Sequence, residues 1–238
     1  MKKSKKRVIP GFGLTMGVTI TMLSIIVLIP LASLVVYSSQ LGLKEFFEVI
    51  TRKRVLSSFY VSFITALIAS LINGVMGLII AWVLVRYEFP GKRILDGMIE
   101  VPFALPTAVA GIALTHMTVD TSVIGSFFHN HFGIDIAYTR TGITLALVFI
   151  GIPFVVRSVQ PVLEKLDGQF EEAASIWGAT RGYTFRHVIF PEILPALIAG
   201  FTMAFARSLG EYGSVVFIAG NTPYETEITP LLIMSKLQ

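Results

Sequence analysis

Arg207 and Glu211 are oppositely charged and stand four residues apart inside an otherwise apolar stretch. On a helix that spacing puts them on one face, close enough to pair. Either charge alone is costly inside a bilayer, about 2.5–3.5 kcal/mol on insertion scales, and pairing lowers the cost. Two uses are open: a purely structural intrahelical pair, or a pair facing a translocation path, where the arginine could meet an anion. Gly210 and Gly213 beside them permit close helix packing or a local break. The other candidates for chemistry are few. His116, His129, His131 and His187 form no ligand set, and His129 and His131 are expected in an exposed outer loop. No His-Glu-x-x-His occurs. The nearest fragment to a phosphate-binding loop, Gly91-Lys92-Arg93, lacks the hydroxyl and the upstream glycine, so the chain cannot hold ATP in that manner. Cysteine is absent, which excludes disulfides, thiolate zinc sites, thiol catalysis and iron–sulfur clusters. Glu225 and Glu227 are expected outside, after the last span, and solvated. No catalytic residue, metal or cofactor is assigned.

The elements that position these residues are membrane spans. Of 238 residues 54% are hydrophobic and 14% charged, against about 25% charged in ordinary soluble domains. The mean hydropathy is +0.75. This excludes a soluble enzyme, a disordered chain and a nucleic-acid-binding domain. A helix crosses the bilayer core with about 20 mostly apolar residues. Five stretches qualify: 11–38, 57–85, 97–118 (interrupted by Pro102 and Pro106), 141–159 and 194–219. The first follows a basic start, Lys2-Lys3-Ser4-Lys5-Lys6-Arg7. It is longer than the apolar core of a signal peptide, and no small-x-small site follows at Val35-Val36-Tyr37, so it is expected to be retained. With the N-terminus inside, twelve basic residues fall in inner segments and five in outer ones, which supports that orientation. The Arg52–Arg54 cluster opposes it unless it lies at the headgroups, in an interfacial helix over 43–56, or the span boundary there is misplaced. The chain therefore reads as one all-α, polytopic membrane domain.

The longest stretch between spans, 160–193, is cytoplasmic in this arrangement. Asp167 is placed to cap a short helix, with Glu171 and Glu172 in its first turn, where the helix dipole favours carboxylates. Gly178 and Gly182 bracket a turn, and a second short helix over 183–190 is expected to stop at Pro191. An amphipathic loop lying on the lipid surface would have the same composition. The spacing is more specific. Glu172-Ala173-Ala174, three residues, Gly178, nine residues and then Val188-Ile189-Phe190-Pro191 resembles the EAA loop of binding-protein-dependent ABC importer permeases. Val188 and Phe190 are apolar replacements in that pattern. Residues 207–221, Arg-Ser-Leu-Gly-Glu-Tyr-Gly-Ser-Val-Val-Phe-Ile-Ala-Gly-Asn, resemble the T-type sulfate/thiosulfate permeases, as do 103–111 and 226–233.

The resemblance implies a type I ABC importer permease fold. It also implies that Glu172, Ala173, Ala174, Gly178 and Pro191 belong to a coupling helix that docks on an ATPase subunit. Implied partners are an ATPase dimer, which binds the ATP, a second homologous permease that completes the pore, and an extracytoplasmic sulfate/thiosulfate-binding protein. The membrane would be a bacterial inner membrane, or a plastid inner membrane, with the N-terminus cytoplasmic. Pro102 and Pro106 free backbone carbonyls in the third span, which is tolerated where a helix lines a cavity or is packed by neighbours. The resemblance places that segment near the pore and gate; the plainer alternative is a packed kink with Glu100 at the headgroups. Family members usually carry six or more spans, so a final span after 226–233 is expected to be missing. Three other functions remain open, one of them a membrane-embedded enzyme, which the absence of any metal or nucleophile constellation opposes. A molybdate or tungstate permease shares the architecture. An ion-coupled secondary anion transporter would need no ATPase, and the loop spacing argues against it.

Overall fold

The computed structural model describes residues 11–166 and 168–237. Lys2, Lys3, Lys5, Lys6, Arg7 and Asp167 lie outside the described residues. Twelve helices and no strand occur among the described residues. They fall into two units, divided between Arg52 and Lys53.

The first unit contains α1 (Phe12–Ser39) and α2 (Leu43–Ile50). At 28 residues α1 is roughly 42 Å long, more than the hydrocarbon core requires. It widens into a π turn at Ser24–Leu28, just ahead of Pro30. A proline has no N–H to give the carbonyl four residues earlier, and a widened turn re-registers the ladder around the gap. The expected interfacial helix over 43–56 is not continuous. α2 ends at Ile50, and Lys53 opens the next helix.

The second unit is built on three long helices: α3 (Lys53–Arg86), α8 (Arg140–Lys165) and α10 (Arg181–Leu209). They meet through small residues. A Cβ on Gly77 of α3 would sit 2.7 Å from Val155 of α8, and one on Gly200 of α10 would sit 2.8 Å from the Cα of the same valine. Val155 is thus clasped from both sides at backbone distance, the close approach that holds membrane helices together by dispersion. Ala81, Leu84, Val156, Val159, Leu163 and Ile193 fill the surrounding core. At the same level the amide of Asn73 is fully buried with neither polar atom hydrogen-bonded, packed where Gly151 leaves room for it.

Between α3 and α8 the chain forms α4 (Lys92–Ile99), α5 (Val101–Ala104), α6 (Thr107–Thr118) and α7 (Val123–Phe132). The stretch expected as one span over 97–118 is therefore three helices. Pro102 sits in the first turn of α5, and Leu105, extended at φ −85°, ψ 137°, gives way to Pro106. A residue before proline is driven out of the helical region by the ring, which accounts for the break. Among the described residues four helices are long and apolar enough to cross a membrane, or five if α6 and α7, bent by 51°, count as one span.

After α8 come α9 (Gln169–Ile176), α10, α11 (Val215–Ile218) and α12 (Thr229–Leu237). Two expectations fail here. Pro191 does not stop a helix: α10 passes through it, because a π turn at Phe185–Ile189 absorbs the missing donor. The stretch expected as one span over 194–219 ends early, at Leu209, and a short non-helical segment leads to α11.

Candidate functional site

At one end of the three-helix core, α9 is fastened to α3. Glu171 in the first turn of α9 pairs with Arg86 in the last turn of α3. Arg86 also lies over the Trp82 ring, 5.4 Å from its centroid, and Trp82 meets Phe185 of α10 edge-on at 5.3 Å. The anchor uses Glu171 and leaves Glu172 and Ala173 exposed and Ala174 half-buried. Gly178 follows with φ +78° and nothing within 4 Å of a built Cβ. It is the left-handed residue that ends the helix, and Ala179 N–H donates back to the Ala174 carbonyl at 3.0 Å. Thr180 then accepts from the Tyr183 N–H at 3.3 Å and opens α10.

The sequence reading did not single out the side chains that this turn projects. Ile176 is 84% exposed and Trp177 89%. These two adjacent large apolar side chains are presented rather than packed. Beside them a cleft of about 340 Å³ is lined by Trp82, Glu171, Glu172, Ser175, Arg181 and Phe185. Trp177 carries no sign of this exposure in the sequence.

Nearer the other end, Arg207 and Glu211 do pair, at 2.5 Å, but not on one helix face. Arg207 lies in the last turn of α10 and Glu211 beyond its end. The carboxylate is buried, and its second oxygen accepts from the Ser214 N–H at 2.9 Å and the Ser214 hydroxyl at 3.1 Å. Those donors compete successfully with helix continuation, and Gly210 eases the turn. Arg207 remains half-exposed. The same turn seats on the start of α6. A Cβ on Gly213 would lie 2.1 Å from Thr107 Oγ1, and one on Gly111 would lie 2.4 Å from the Ser214 carbonyl oxygen. The structure thus brings the Arg207–Ser214 segment against the residue that follows Pro106. Pro106 is exposed, whereas Pro102 is buried.

Glu227 corrects the expectation that it is solvated. It is 1% exposed and holds Arg54 by two hydrogen bonds, 2.6 and 2.8 Å. Glu225 is exposed, and its backbone carbonyl accepts from Arg140 Nε at 2.6 Å. His129 lies in α7 rather than in a loop, with Nδ1 2.6 Å from Asp135 and Asp120 alongside. All three are exposed, and the ion pair is sufficient reason for the cluster.

Residues 73–236 match the family model described as the binding-protein-dependent transport system inner membrane component. The chain belongs to this family. It is accordingly a multi-pass membrane protein with an all-α fold of the importer-permease kind. Similar curated proteins are long matches. The sulfate transport system permease protein CysT of Salmonella typhimurium is 47% identical over 99% of this chain and 84% of its own length. Its Escherichia coli counterpart is 46% identical over the same shares. That of Synechocystis is 49% identical over 93% of this chain and 77% of its own length. These relatives are transport system permeases by name.

Proposed function

We propose that this chain is the T-type permease subunit of an ATP-driven sulfate importer that also accepts thiosulfate, and forms half of its translocation pore. The observation that carries this reading is the near-full-length likeness to proteins named sulfate transport system permeases. The partners are an ATPase dimer, a second related permease and an extracytoplasmic binding protein; ATP is bound by the ATPases, and this chain needs no cofactor of its own. The N-terminus faces the cytoplasm of a bacterial inner membrane, or the corresponding side of a plastid inner membrane.

Coupling to the ATPase runs through α9 and its turn. Glu172, Ala173 and Ala174 form the low-profile face, Gly178 sets the turn, and Pro191 lies in the helix that leaves it. Ile176 and Trp177 are the apolar anchors that enter the ATPase groove, since fully presented large side chains gain most on burial. ATP-driven closure moves α9, and the spans tilt as rigid bodies between inward and outward openings. Arg207 and Glu211 lie on the path with Pro106, and Pro102 packs the segment behind it. With Glu211 satisfied by Arg207 and Ser214, the half-exposed guanidinium offers an oxyanion a weak, partly neutralised contact. That suits transient passage better than tight binding.

Sulfate uptake is measured in cells lacking their own sulfate permease, expressing this chain with the three partner components. Uptake that sulfate and thiosulfate compete for, and molybdate does not, is the expected result. Uptake blocked by molybdate or tungstate instead assigns the other oxyanion. Uptake that persists with a hydrolysis-dead ATPase and collapses with the proton gradient rejects ATP-driven import.

A further inference from the structure

Arg157 makes a hub that neither the sequence reading nor the proposed mechanism uses. It lies on α8, two turns before the helix ends and the chain turns into α9. Its Nη1 donates to Asp96 Oδ1 at 2.8 Å and to Gln160 Oε1 at 2.7 Å. Its Nη2 donates to the Asp96 backbone carbonyl at 3.1 Å and pairs with Glu100 Oε1 at 2.8 Å. Gln160 in turn donates to Glu164 at 3.1 Å.

The acceptors explain why an arginine stands there. α4 ends at Ile99, and Glu100 N–H bonds back three residues, to Gly97, rather than four. The carbonyl of Asp96 is therefore one of the orphans of a helix C-terminus. Arg157 satisfies that carbonyl and neutralises two carboxylates at the negative end of the helix dipole. Only a planar fork with several donors reaches an oxygen of the main chain and two side chains together. Around it the broken segment is packed against the same helix: Ile99 is buried in a core that includes Val155, Val156 and Val159, and Phe103 meets Phe154 edge-on at 5.1 Å.

We propose that Arg157 is a positioning residue that fastens α4 and α5 to α8, so that movement of the α9 coupling loop is passed to the proline-broken segment. This rests on the functional reading above. α9 is the next helix in the chain, three residues after α8, and α5 leads through Leu105 and Pro106 into α6, on which the Arg207–Ser214 turn is seated. With the hub intact the loop and the broken segment move together. Without it the loop can still move with the ATPase while α4 and α5 lag.

Two measurements test it. In the assembled transporter, Arg157→Ala should retain ATP hydrolysis while uptake per ATP falls about tenfold. Arg157→Lys should fall between, and the exchange Arg157→Asp with Asp96→Arg should recover part of the loss. Uptake and hydrolysis that fall in parallel, or an unchanged ratio, overturn the proposal. The second measurement does not depend on transport. The chain has no cysteine, so Met98→Cys with Lys165→Cys gives one spin-label pair across α4 and α8. A narrow distance distribution that broadens on adding Arg157→Ala is expected; a distribution that stays narrow overturns the fastening. If the unaltered complex transports nothing, the functional reading fails, and the spin-label result still decides whether Arg157 holds the segment.

Discussion

The turn between α10 and α11 is seated on α6 so closely that one methyl group should unseat it. Gly213→Ala puts a Cβ 2.1 Å from Thr107 Oγ1 and 3.2 Å from Thr107 Cβ. Non-bonded carbon contacts settle at about 3.5–4.0 Å, so the hydroxyl overlap exceeds an ångström. Gly213 has no positive φ, so the backbone itself tolerates alanine and the cost is steric. Overpacking of this kind costs about 1–3 kcal/mol, which lowers the population of the seated arrangement by about five- to 150-fold. The offending atom belongs to a side chain, so the clash can be removed. Thr107→Ala deletes Oγ1 and leaves the milder Cβ contact. Gly213→Ala alone should therefore depress uptake by the assembled transporter strongly, Thr107→Ala alone only slightly, and the double variant should recover most of the loss. Protein amount in the membrane is followed in each. Full uptake by Gly213→Ala would refute the close seating, and failure of Thr107→Ala to rescue it would refute the assignment of the clash.

Gly111→Ala should be more damaging than Gly213→Ala and beyond rescue by a side-chain change, because its Cβ meets the Ser214 backbone; Gly97→Ala, with nothing within 4 Å, is the matched neutral control. Comparing melting of the two detergent-solubilised variants checks this, and equal melting temperatures would contradict it. Gly178→Val forces a β-branched residue to φ +78°, a penalty of about 1–2 kcal/mol, so uptake should fall about five- to thirty-fold with insertion intact and Gly178→Asn should be milder; normal uptake in the valine variant would sink the coupling role. Trp177→Ala should weaken co-purification of the ATPase subunit without changing the melting of this chain, and unchanged recovery would remove Trp177 as an anchor. Glu227→Gln keeps the shape but leaves Arg54 without its counter-charge, so detergent melting should drop, and an unchanged midpoint would show the pair to be idle.

The short helix α9 and its glycine stop were legible because their information is local. Two carboxylates in a first turn and a glycine four residues beyond the second alanine specify a short helix and its stop without reference to the rest of the chain. The Arg207–Glu211 pairing was legible for the same reason, since four residues is a short reach. What failed was continuity. Pro191 reads as a helix stop on propensity alone, but a π turn before it lets the ladder run on, and no residue type announces a π turn. Glu211 reads as helical until Ser214 supplies two donors for its carboxylate. Long-range partners were invisible. Glu227 reads as solvated because it lies beyond the last expected span; Arg54, which holds it, is 173 residues away.

The arginines of the two central helices share a placement with a mechanical consequence. α3 carries Arg54 at one end, on Glu227, and Arg86 at the other, on Glu171. α8 carries Arg140 at one end, on the carbonyls of Tyr224 and Glu225, and Arg157 towards the other, on Asp96 and Glu100. Every one of these partners belongs to a short or broken element, and none to another long helix. Between the ends the long helices meet through Val155, Gly77 and Gly200, contacts with no charge in them. Charge thus pins the irregular segments to the rods, while dispersion holds the rods to one another. Losing a charge should free one segment and leave the rods packed. Adding a methyl at Gly77 or Gly200 should part the rods and carry all the pinned segments with them. The orphaned amide of Asn73 sits on that uncharged seam, where burial without a partner costs most.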